Sequence, residues 1–217
     1  APATVNMAKL KEILRSADPM VGVGTQGMHS EYLKVLVTGR MMDADSAVAF
    51  ELFSNLGNSY LNGEMPPWLR RHLGTGCLTA LSKEVIVPGT VPDARPVKAE
   101  DFDASAWTKA AQQHLTPALM EIVTPQQLGV GVSGGVELKI WGLKLWYEKC
   151  ISRGIRAVAV PLDLVNAHNT FEREASIEAL NSVADVDEAL RPLPRAWDSL
   201  VFQKNGIFVR DINEPNG

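Results

Sequence analysis

The chain has 217 residues, of which 46% are hydrophobic, 21% charged and 6% aromatic, and its net charge is −4. That balance excludes a chain that is mainly disordered, and the length is enough to bury a real core in one moderate domain or two small ones. Two cysteines, Cys77 and Cys150, without CxxC spacing exclude a disulfide scaffold, and the negative charge confines any nucleic-acid contact to a local patch.

The spacing of Leu10, Ile13 and Leu14 predicts a helix over residues 5–15, which Pro19 breaks. A Gly-rich turn from Gly22 to Gly27 leads to a second helix near 29–38. A third runs from about Ala44 to Tyr60, with Asp43 as its N-cap candidate and Asn62-Gly63 as its stop. Pro66-Pro67 opens a short helix carrying Trp68, Arg70 and Arg71. Leu78–Lys83 alternates like a strand, Val85–Val87 continues extended, and turns at Pro88-Gly89 and Pro92-Asp93 lead to Arg95–Val97, a hairpin with a long tip. Helices are then expected over 103–122 and 135–152. Arg156–Asp163 reads as a buried strand ending on a carboxylate, followed by helical pattern at 171–182 and 186–199. Lys204-Asn205-Gly206 reads as a turn between 200–202 and 207–209. No apolar run is long enough to span a membrane, and the start lacks a signal-peptide pattern, which leaves an intracellular compartment unspecified. The absence of an initiator Met and a loop-like end read as a piece of a longer protein.

Three constellations could carry chemistry. Gly129-Val-Gly131-Val-Ser-Gly134 is a literal GxGxxG before a helix, the form of a dinucleotide-binding turn. Against that reading, the preceding Thr124-Pro-Gln-Gln127 is polar rather than a buried strand, and Asp163 comes too late for the ribose-binding acid. A plain turn before a helix fits the same residues. Asp163 leaves the end of an apolar segment and could hold a hard cation such as Mg²⁺, or simply cap the next helix. Between Trp68 and Lys98, five cations (Arg70, Arg71, Lys83, Arg95 and Lys98) face two acids, a local excess suited to a triphosphate or a nucleic-acid backbone, although a solvated face is the commoner use. His29, His72, His114 and His168 show no metal-ligand spacing, and Ser133 lacks the nucleophile-elbow pattern.

Taken in order, Leu78–Lys83, Ala94–Val97, Gln127-Leu-Gly-Val-Gly-Val-Ser-Gly-Gly-Val-Glu137 and Leu162-Asp-Leu-Val-Asn-Ala-His-Asn-Thr-Phe-Glu-Arg173 resemble a reverse transcriptase domain of the non-LTR, LINE-like retrotransposon type. Thr25–Leu33 resembles that family's lead-in segment. The resemblance implies an α+β fold: the helix-rich fingers and partial palm of a right-hand polymerase, with a small antiparallel sheet. It divides the chain into a helical lead-in packed on the fingers (1–73), fingers (74–154) and the start of a palm (155–217).

By this resemblance the intact family carries out template-directed nucleotidyl transfer, an RNA-directed DNA polymerase reaction with two Mg²⁺ ions, on an RNA/DNA primer–template and deoxynucleotides. Asp163 matches the first catalytic, metal-binding aspartate. Lys83 and Arg95 match the fingers cations that hold nucleotide phosphates. Asn166 and His168 match the nucleotide pocket, and Gln127, Gly129 and Gly131 match the template-side fingers motif. Where the family commonly has Phe, this chain has His168. The family's Gln-Gly-Asp-Pro and Tyr-x-Asp-Asp motifs are absent. Asp163 alone cannot assemble a two-metal site, so Mg²⁺ is expected only with a complete palm and this chain is expected to be inactive by itself. The alternative is a non-catalytic nucleic-acid-binding remnant of the same fold. A more distant alternative is a dinucleotide-binding enzyme using the Gly129–Gly134 loop.

Overall fold

Helix formation starts where the Asn6 side chain accepts the Lys9 N–H at 3.0 Å and caps α1 (Met7–Ser16). The computed structural model describes residues 2–19, 24, 26–38, 44–82, 89, 94–129, 131–162, 172–197 and 207–208. α1 buries Leu10, Ile13 and Leu14, the stripe that its periodicity predicts. α2 (Ser30–Thr38) and α3 (Ala44–Leu61) follow, and Pro67 occupies the first turn of α4 (Pro67–Leu73), where its missing N–H costs nothing. β1 (Gly76–Ser82) and β2 (Ala94–Glu100) pair antiparallel over seven positions, from Gly76↔Glu100 to Ser82↔Ala94. The sheet order β2-β1-β3 leaves β2 on an edge, which is where a strand tolerates Pro96.

The long α5 (Phe102–Val123) runs through the core, packing on α1, α2 and α3. Trp107, fully buried, lies against Phe53 and Tyr60 with ring centroids 4.9 and 5.8 Å apart. The N-terminal strand of coil is tied down by α3: Asn62 accepts from the Ala3 N–H and donates back to the Ala3 carbonyl, both at 2.7 Å, and Asn58 accepts from Val5 N–H at 2.6 Å. Further along come α6 (Gly135–Ser152), α7 (Arg173–Val186), a 3₁₀ turn (Glu188–Leu190) and α8 (Leu193–Trp197). Arg195 returns to the end of α3, pairing with Glu64 at 3.0 Å. The result is helix-rich with a small sheet, an α+β architecture, and none of its described helices is long and apolar enough to cross a membrane.

Three expectations are corrected. Residues 156–162 form no strand. Val158 and Leu162 are 82% and 90% exposed, because a strand needs a hydrogen-bonding neighbour and none of the described strands lies alongside. The helix expected over 186–199 is split into a 3₁₀ turn and α8, since Pro192 has no N–H with which to carry the ladder on past the 3₁₀ turn. β3 (Ile207–Phe208) runs parallel to β1, adding a parallel pair to a sheet expected to be antiparallel throughout. The expected partner strand at 200–202, the segment Val85–Val87 and the Asp43 cap lie outside the described residues.

Gly57 sits inside α3 against Trp107. A methyl group there would fall 2.4 Å from the indole Cδ1. Gly57→Ala gains helix propensity of about 1 kcal/mol but overpacks the core, and it is expected to lower stability by about 1–3 kcal/mol in urea titrations monitored by tryptophan fluorescence.

Candidate nucleic-acid interface

The hairpin and its supports form the candidate interface. β1 follows directly on α4, and β2 leads through Asp101 into α5. On α4, Trp68 is 70% exposed and Arg71, one turn on, is exposed too, so an aromatic ring and a guanidinium share one face beside the hairpin base. Arg95 lies in β2, its backbone opposite Leu81. Lys83 follows Ser82 in the chain and lies outside the described residues, as do Asp163, Asn166 and His168.

Two cations of the patch have structural duties. Lys98 donates from Nζ to the Gly74 carbonyl and to Glu100 Oε1, both at 2.7 Å, which pins the hairpin base to the end of α4. Arg70 is only 4% exposed, and its charge acts on the Tyr60 hydroxyl. Burial raises the Tyr60 pKa, with Glu100 and Asp103 adding to the rise and Arg70 opposing it. Beneath the hairpin, therefore, lies a buried polar cluster that periodicity in the sequence does not signal.

Asp101 is the centre of that layer. Its fully buried carboxylate accepts the Gln26 N–H on Oδ2 at 3.0 Å and the Met28 N–H on Oδ1 at 2.9 Å. The Gln26 side chain donates to the His72 carbonyl at 2.9 Å, and Phe102 N–H reaches the Met28 carbonyl at 3.3 Å. The lead-in segment is thus sewn to both α4 and the β2–α5 corner. An Asp immediately before a helix ordinarily caps it. Here the Asp101 side chain makes no cap bond and turns to the loop instead.

The second half of the expected site lies elsewhere. Gln127, Gly129 and Gly131 share the loop between α5 and α6, with α5, about 33 Å long, between that loop and the hairpin base. Gln127 is exposed and its side-chain oxygen accepts the Gly129 N–H at 2.6 Å. Gly131 has φ +77°, and at Gly135 a methyl group would meet the Leu128 carbonyl oxygen at 1.8 Å. These glycines serve a tight turn closing on the start of α6. What precedes Gly129 is helix α5 and a turn, not a strand, so the dinucleotide-binding unit is excluded: it requires a strand entering the glycine loop. Among the described residues no hydrogen bond or ion pair joins this loop to the hairpin, and no three potential ligands converge on a metal position. Cys77 and Cys150 are free thiols. No protein-family model, curated protein or solved structure matches the chain.

Two outcomes test this layer. Asp101→Ala orphans two backbone donors and is expected to cost about 2–4 kcal/mol in urea unfolding. Asp103, also buried, has its pKa raised chiefly by desolvation and next by the Asp101 charge, against opposing backbone hydrogen bonds and His72. The native chain therefore holds this proton more tightly than the unfolded chain. Its contribution to stability is present below the ordinary carboxyl range and is lost as pH rises through the raised value. Asp103→Asn is expected to stabilise the protein at neutral pH, with the advantage shrinking on acidification when urea midpoints are compared across pH.

Proposed function

We propose that this chain is the fingers and partial palm of a right-hand polymerase of the reverse transcriptase type, which grips a primer–template and deoxynucleotides through the β1–β2 hairpin and its α4 flank. The observation that carries the reading is the seven-pair antiparallel hairpin containing Arg95, placed after a helix that offers Trp68 and Arg71 to solvent. A flat ring stacks on unpaired bases and a guanidinium pairs with phosphate, so the face suits a nucleic-acid strand. In this reading Lys83 and Arg95 hold nucleotide phosphates, Asn166 and His168 line the sugar side, and Asp163 is the first Mg²⁺ ligand of a two-metal nucleotidyl transfer. Gln127, Gly129 and Gly131 support the template side. Those roles rest on the resemblance of the motifs. Asp163 alone supplies too few carboxylates to hold two ions, so this chain binds without extending a primer.

Fluorescence anisotropy with a labelled RNA/DNA primer–template at low salt tests the proposal. Binding is expected, weakening with salt, and Lys83→Ala/Arg95→Ala is expected to weaken it roughly tenfold while leaving the unfolding midpoint in place. Failure to bind, or a double variant that binds as tightly as the parent, overturns it.

A further inference from the structure

Helix α6 is covered by little of its own chain. Its 18 residues extend about 27 Å, yet among the described elements it packs extensively on none. Val136, Ile140, Leu143 and Tyr147 follow a four–three–four spacing, which aligns them as the a and d positions of a heptad seam. All four are more than half exposed, from 51% to 63%. Leu138, Trp141 and Leu145 are exposed on the opposite face too, but that stripe ends on Glu148, which leaves the Val136–Tyr147 line as the longer apolar seam left in water.

The charges beside the seam choose the occupant. Glu137 and Lys144 lie one heptad apart on the same flank, and both are exposed. If two copies of α6 run antiparallel about a two-fold axis, Ile140 layers with Leu143 and Val136 with Tyr147 of the second copy. That register sets Glu137 against Lys144 of the second copy, and the symmetry repeats the pair. A parallel arrangement would instead set Lys144 against Lys139 of the second copy, a like-charge pair. Lys144 rests 5.1 Å from the Trp141 ring within its own chain, an exposed contact that it can leave for a carboxylate. We propose that α6 is a self-association helix, and that a second copy of this chain docks on it antiparallel through the Val136–Tyr147 seam. The interface is isologous, so it closes as a dimer. This inference stands apart from the polymerase reading and needs no nucleic acid.

Sedimentation velocity on the full chain at micromolar concentrations tests it. A dimer is expected. Leu143→Glu, which places like charges at the centre of the seam, is expected to give a monomer with an unchanged circular dichroism spectrum. Glu137→Lys is expected to weaken the dimer roughly tenfold, because two attractive pairs become repulsive. Combining it with Lys144→Glu restores the pairing with signs exchanged and is expected to return affinity to within about threefold of the parent. A monomeric parent overturns the proposal. So does a dimer that is indifferent to Glu137→Lys, or a double variant no tighter than the single one.

Discussion

A single buried carboxylate organises the corner where the 24–28 segment, β2 and α5 meet. Asp101 stands where β2 turns into α5, fully out of water, and its charge is met by two backbone N–H groups from the lead-in segment. Burying an ion without such partners would cost several kcal/mol, so the loop and the carboxylate require each other. From that joint the geometry follows. The lead-in reaches α4 through Gln26, α4 reaches the hairpin base through Lys98, and the hairpin returns to Asp101. The closed circuit holds Trp68 and Arg71 beside the strands, while the Trp107 core lies along the same helix that Asp101 opens.

The two halves of the described chain differ in how they treat apolar residues. Residues 2–123 gather a core around Leu10, Leu14, Leu61 and Trp107, while Val48, Leu52 and Leu56 stay exposed on α3. Residues 135–162 turn theirs outward, from Val136 on α6 to Leu162. Composition alone does not separate these halves, since both carry the apolar fraction of a core. Partner availability does: α1 and α3 both pack on α5, whereas among the described elements α6 packs extensively on none.

Much of the fold was legible because its signals are local. α1, α3, α5 and α6 fall within two residues of the bounds that helical spacing, prolines and glycines predict. β1 and β2 were legible through alternation and the turns between them. Segment 156–162 was misread because its alternating valines describe what a strand would bury, not whether another strand is present to pair with it. The pairing of β3 with β1 joins residues more than a hundred positions apart, which no local pattern specifies. At the candidate site the sequence indicated Arg95 within a hairpin, but it could not indicate that Arg70 is buried or that Lys98 is tied to Glu100. Both facts depend on which face the neighbouring elements cover.

That difference bears on how any phosphate could be held. A count of charges between Trp68 and Lys98 treats five cations as equal, yet Arg70 lies inside the protein and Lys98 already satisfies a carboxylate and a carbonyl. Neither can release counterions to a polyanion without dismantling the hairpin base. In the proposed reading the electrostatic grip then falls to Arg71, Arg95 and Lys83, a small set on a chain whose net charge is −4. Each phosphate neutralised contributes close to one unit to the dependence of log affinity on log salt, so so few cations imply a shallow slope and modest affinity. Under those terms the exposed Trp68 ring matters more, because stacking is insensitive to salt and adds about 1–3 kcal/mol per base. In the proposed reading, such a face is therefore better suited to positioning a strand than to capturing one from dilute solution.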